Sequence, residues 1–172
     1  KIMELTDNSY QPMIDDRNGN VIIFNGSIYN YKVLRKKFFS NISFKSNTDT
    51  EVILYLYEKF GIDFLNHIKG MFVIAIFDKK KGKLLIARDR YGIKPLFYFN
   101  DKLKFIFASE IKMLLTQNVV RNNIKLDTNE VLKFIGHRII SGFDKTLLKN
   151  IKVLEPGKFL LYDLRNNKFD IG

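Results

Sequence analysis

Apolar and polar positions along this chain follow two periods. Val21, Ile22, Ile23 and Phe24 form an unbroken apolar run after the turn signal Asn18-Gly19-Asn20, the pattern of a short strand covered on both faces, and Asn25-Gly26 closes it. Over residues 29–38 the spacing becomes helical: Val33, Leu34 and Phe38 segregate from Arg35, Lys36 and Lys37. A second helix is expected from a cap at Thr48 or Asp49, with Val52, Leu56 and Phe60 on one face, Ile53 and Tyr57 on its flank, and Gly61 as its stop. A shorter helix over residues 63–68 ends at Gly70. Residues 71–77 and 83–87 then read as two strands, and residues 96–99 and 103–107 as a hairpin joined through Asn100-Asp101. Ser109 is placed to cap a helix reaching Leu115, and Asp127 or Thr128 one reaching Gly136. Beyond that the pattern is irregular until Pro156-Gly157 opens a last strand over residues 158–162. Strands grouped in the middle with helices before and after predict an α+β fold of packed layers.

Composition narrows the classes. A chain of 172 residues, 46% hydrophobic and 14% aromatic, buries a full core, so one domain is expected. Lys, Asp or Asn interrupts every apolar run well short of the ~20 residues a membrane span needs, and residues 1–8 show no export signal. A soluble, cytoplasmic protein is expected, with no membrane partner. Cysteine is absent, which removes disulfides and thiolate metal sites, and with His67 and His137 as the two histidines no metal is expected. Lys and Arg number 29 against 18 acidic residues, a net charge of +11 that raises a nucleic-acid reading. The densest basic run, residues 78–83, sits between two strands that offer no aromatic stacking platform, so a solvated hairpin turn accounts for it and no nucleic-acid partner is expected.

Three segments carry candidate chemistry. In FNGSIYNY at residues 24–31 an Asn amide and the N–H of the next Gly can both donate toward one point, the arrangement of an oxyanion hole. The same Asn25-Gly26 pair also suits a tight turn with no ligand. Ser46-Asn47-Thr48-Asp49-Thr50-Glu51 reads either as a capped helix start or as a carboxylate placed to receive an ammonium group. ARDRYGIKPLFY at residues 87–98 describes a fixed turn between strands, and nothing in its spacing demands catalysis. His67 and His137 have no nearby partner that suggests a triad or ligand set.

Taken in order, the Gln11-Pro12-Met13 triplet, FNGSIYNY, residues 44–52, Gly70-Met71-Phe72, ARDRYGIKPLFY and FASEIK at residues 107–112 resemble the glutaminase domain of glutamine-using asparagine synthetases. The resemblance runs from about Gln11 to at least Asp163 and includes Leu154-Glu155-Pro156-Gly157. It implies an N-terminal-nucleophile hydrolase fold, a four-layer α/β/β/α sandwich of antiparallel sheets, here incomplete at the N-terminus. Residues 1–165 would be a class II glutamine amidotransferase domain lacking its first strands, and residues 166–172 the start of a connection to a synthetase domain. In that family an N-terminal cysteine attacks the glutamine side-chain amide and the ammonia passes to a synthetase domain that uses ATP and Mg.

Carried over by position, the resemblance gives the Asn25 side chain and Gly26 N–H the oxyanion hole, and Asp49 the α-ammonium of glutamine. Ser27 stands where the family usually carries Glu, which weakens one contact to that ammonium and leaves more of it to Asp49. The family's nucleophilic cysteine and its carboxylate-binding arginine lie upstream of the Asn-Gly block, and this chain is expected to begin after both. The expected partners are glutamine and a synthetase domain of the same parent chain, with a homodimer allowed. No cofactor is expected in this domain itself. The alternative is a non-catalytic regulatory or scaffold domain of the same fold.

Overall fold

The computed structural model describes residues 10–101 and 104–172, so the reading of residues 1–8 and the assignment of Leu103 to a strand lie outside the described residues. Among the described residues nine strands form two sheets, and every pairing between them is antiparallel. The larger sheet runs β1 (Met13–Ile14), β2 (Val21–Ile28), β3 (Gly70–Asp78), β4 (Lys83–Arg88), β8 (Phe159–Asp163) and β9 (Lys168–Ile171). The smaller has β5 (Phe97–Asn100) between β6 (Phe105–Ala108) and β7 (Ile151–Val153). Helices α1 (Tyr31–Phe38) and α2 (Asp49–Phe60), with a 3-10 helix at Gly61–Asn66, lie between β2 and β3 in the chain; α3 (Ile111–Leu115), α4 (Asn118–Asn122) and α5 (Thr128–His137) follow β6.

Three separate apolar clusters define the layers. Leu34, Val52, Ile53 and Leu56 of α1 and α2 pack on Ile22, Ile74, Ile76 and Leu85 of the larger sheet. From the opposite face of that sheet, Val73, Ala75, Ile86 and Leu160 meet Leu96, Tyr98 and Leu154 from the side of the smaller sheet. The outer face of the smaller sheet gives Phe99 and Ile151 to Leu114 of α3 and Val120 of α4. Three interlayer cores require four layers, helices over sheet over sheet over helices, which is the α/β/β/α sandwich expected from the sequence. The unbroken apolar run of β3 follows directly: Ile74 and Ile76 point into one core, Val73 and Ala75 into the other.

Local chemistry sets most boundaries. Thr48 caps α2 by accepting the Glu51 N–H, and Gly61 ends it at φ 58°. Asp127 caps α5 by accepting the Glu130 N–H. Three expectations are corrected. Strand β2 does not stop at Asn25-Gly26 but continues to Ile28, because β3 supplies a partner for each residue through Ile28↔Gly70. Ser109 does not cap α3, whose N-cap is Glu110 without a side-chain bond. The stretch read as irregular contains β7, and α4 lies between the two helices expected over residues 109–136. Strand β9 pairs with β8 along the sheet edge.

Helix α5 stands apart from these cores. Glu130 is buried on it, while Leu132 and Ile135 are 63% and 74% exposed. The Glu130 carboxylate accepts the Ser141 N–H at 2.7 Å and its hydroxyl at 2.5 Å, and Lys133 and Lys145 flank it at 3.3 and 3.2 Å. That carboxylate ties the segment after α5 back onto the helix.

Candidate functional site

The register of β2 decides which of its groups face a ligand. In an antiparallel ladder alternate residues turn their N–H groups to opposite neighbours. The Tyr29 N–H reaches Lys69 O on the β3 side, so the even-numbered residues of β2 point theirs away from β3. The Phe24 N–H accordingly donates to the Gln11 side-chain oxygen at 2.6 Å, and the Ile28 N–H to Asp49 Oδ2 at 2.9 Å. Gly26 lies between them on the same edge, its N–H directed outward where β1, paired at Ile22 and Val21, no longer covers the strand.

Glycine is required at that position. Residue 26 has φ 152°, and a Cβ there would sit 2.1 Å from the Met71 carbonyl oxygen and 2.7 Å from the Phe72 Cα. The overlap is with backbone, so no side-chain rearrangement relieves it. Asn25 pairs with Val73, which places its side chain on the face between the two sheets. There it borders a cavity of about 270 Å³ whose lining includes Gln11, Val73, Ala75, Leu96 and Ser109. Asn25 is exposed, and its Nδ2 donates to Ser109 Oγ at 3.3 Å. Ser27, next on that face, is buried.

Asp49 differs from the buried acids Asp15, Asp78, Asp89 and Glu130 in the direction in which its surroundings move its carboxyl. It is 3% exposed at the first residue of α2, and like Glu51 and Asp89 it forms no salt bridge among the described residues. Burial pushes its carboxyl above the ordinary value, against the backbone N–H groups of Ile28, Asp49 and Thr50 that favour the ionised form. Glu51, by contrast, is engaged by the Lys45 N–H, the Ser46 N–H and the Ser46 hydroxyl. Asp89 is wholly buried yet accepts N–H groups from Phe72, Tyr91, Ile93 and Lys94, and these outweigh burial and hold its carboxyl below the usual range. With Arg88 donating to the carbonyls of Gly92, Lys94 and Leu154, Asp89 fixes the turn that the sequence predicted.

The structure thus brings Asn25, Gly26 and Asp49 to one edge of β2. Gln11 and Ser109 join them there; the sequence gave Gln11 no role of its own and Ser109 only that of a helix cap. Ser109 follows a strand of the other sheet, 84 residues away in the chain, so no local pattern marks its contact with Asn25. His67 packs edge-on to Phe38 and tilted against Phe60, away from any such group. Among the described residues no group of three or more His, Cys, Asp or Glu side chains could hold a metal, and no helix is long and apolar enough to cross a membrane.

The family model for the glutamine amidotransferase domain matches residues 1–170. The glutamine-hydrolysing asparagine synthetase 2 of Bacillus subtilis is 50% identical over 165 residues, 94% of this chain and 22% of that protein. The glutamine-hydrolysing asparagine synthetase B of Escherichia coli is 38% identical over 106 residues, 61% of this chain and 19% of that one. The chain therefore spans 22% or less of the length of these two relatives. Among solved structures, the glutamine phosphoribosylpyrophosphate amidotransferase of Bacillus subtilis superimposes with a TM-score of 0.63 at 18% identity, over 95% of this chain and 32% of that one, and so shares the fold. The layered sheets, the family match and these relatives agree: the chain belongs to the glutamine amidotransferase domain family, in the class II, N-terminal-nucleophile branch related to asparagine synthetase B.

Proposed function

We propose that this chain is the glutamine-binding part of a cytoplasmic glutaminase domain that releases ammonia from glutamine for ATP-dependent asparagine synthesis. The observation that carries the reading is the Asp49 carboxylate, which accepts the Ile28 N–H on the edge of β2 that holds Gly26, is 3% exposed, and is pushed by burial above its ordinary value despite its backbone donors. A buried carboxylate whose donors do not offset its desolvation costs stability unless a ligand supplies a compensating charge. The α-ammonium of glutamine supplies it. Ser27, buried beside Gly26, lines the same site in place of a second acid.

The reaction then divides between groups on this edge and a nucleophile. The 172 residues contain no cysteine, so the thiolate comes from outside them. It attacks the side-chain carboxamide carbon, and the carbonyl pair moves onto oxygen, where the Asn25 amide and the Gly26 N–H stabilise it. Collapse breaks the C–N bond as the leaving NH2 takes the proton that the nucleophile's own α-amino group received from the thiol, so that neutral ammonia departs. Water then hydrolyses the thioester to glutamate and frees the thiol. ATP, Mg and the carboxylate that accepts the ammonia belong to a synthetase domain, the part suggested by the names of the relatives.

The test is glutamate release from glutamine by the complete reading frame that contains these residues, beside a protein starting at Lys1. Activity in the longer protein alone supports the reading. A complete protein that is folded, lacks an N-terminal cysteine and releases no glutamate overturns it in favour of a non-catalytic scaffold of the same fold.

A further inference from the structure

An oxyanion hole works only if its donors are aimed before the charge develops, and the two proposed donors are held differently. The Gly26 N–H is part of β2 and is fixed by the ladder to β3. The Asn25 amide is an exposed side chain with rotatable bonds, and ladder geometry does nothing to orient it. Its one partner among the described residues is Ser109 Oγ, which accepts from Nδ2 at 3.3 Å.

We propose that Ser109 is a positioning residue for the Asn25 amide, an inference that rests on the oxyanion role given to Asn25 above. Nδ2 carries two hydrogens. Ser109 takes one, which fixes the plane of the amide and leaves the other directed away from the hydroxyl, beside the cavity between the sheets. The contact also crosses the fold. Ser109 follows Ala108 at the end of β6 in the smaller sheet, whereas Asn25 lies on β2 in the larger one. The packing of the two sheets therefore sets the aim of the amide. A helix-capping role, the other use of a serine before a helix, is absent here because α3 begins without a side-chain cap.

The experiment uses the complete protein and the variants S109A, S109T, N25A and S109A/N25A, each checked for an unchanged melting temperature, with glutamate release as readout. S109A is expected to lower kcat about 10-fold with KM for glutamine unchanged, because the oxyanion contact forms in the transition state. S109T, which keeps the hydroxyl, is expected to restore most of the rate. The double variant should be no slower than N25A alone, since a positioning residue has nothing left to position. An S109A protein with wild-type kcat, or a double variant slowed by the product of the two single effects, overturns the role of Ser109 while the reading of Asn25 stands. An N25A protein with wild-type kcat, or a complete protein without glutaminase activity, overturns both.

Discussion

Two aspartates of similar burial show how the surroundings of a single residue separate structure from function. Neither forms a salt bridge among the described residues, but the four backbone N–H donors of Asp89 hold its carboxyl below the usual range, whereas burial outweighs the donors of Asp49 and raises its carboxyl. Asp89→Ala orphans those donors and should cost about 3 kcal/mol or more in chemical denaturation. Asp49→Asn should behave oppositely. Since the folded pKa of Asp49 lies above its unfolded value of 3.8, the folded state binds the proton more readily, and the ionised group costs stability at every pH above its folded pKa. That cost is relieved as pH falls from the folded pKa toward 3.8. Asp49→Asn should therefore melt at or above the wild-type temperature at pH 7, and a clear loss of stability there would contradict this account. The sequence offered Asp49 either as part of a helix start or as an ammonium site. Choosing between them depends on burial and on the balance of donors around the carboxylate, which are properties of the fold.

At the scale of elements, β2 is where local reading and structure part. Asn25-Gly26 carries the signature of a turn, but the neighbouring β3 provides backbone partners and the glycine becomes a point of close strand contact. Tertiary pairing overrode turn propensity. Gly26→Ala should cost about 3 kcal/mol by forcing a Cβ against the β3 backbone, measured as a shift in denaturation midpoint. The long periodic elements, α1, α2, β3 and β4, were legible because burial on a defined face dictates their pattern. Among the short ones α4 and β7 were not: they are 5 and 3 residues long and draw their order from neighbours. Helix α5 offers a different check. Ser141, Lys145 and Lys133 hold the Glu130 carboxyl down to about 2. A depressed carboxyl contributes stability above its unfolded value of 4.5 that is lost as pH falls toward 2. The protection of the Ser141 amide, relative to its intrinsic exchange rate at each pH, should therefore fall over that interval, and protection that persists below it would contradict the clamp. In contrast, exposed Leu132 and Ile135 bury little, so a Leu132→Glu/Ile135→Glu variant should match the wild-type midpoint within about 0.5 kcal/mol.

For the whole molecule, two sheets with three cores bring β2, α2 and the end of β6 to one place. The six ordered sequence blocks made the family and layered fold legible, while the assembly of the site was not, because Ser109 and Asn25 meet only when the sheets pack. The central claim is that Asp49 holds the α-ammonium of glutamine, and the most direct measurement is the KM for glutamine of the complete protein with and without Asp49→Asn. The account predicts a KM raised about 100-fold in the variant, with the protein folded and as stable as wild type. An unchanged KM would contradict it.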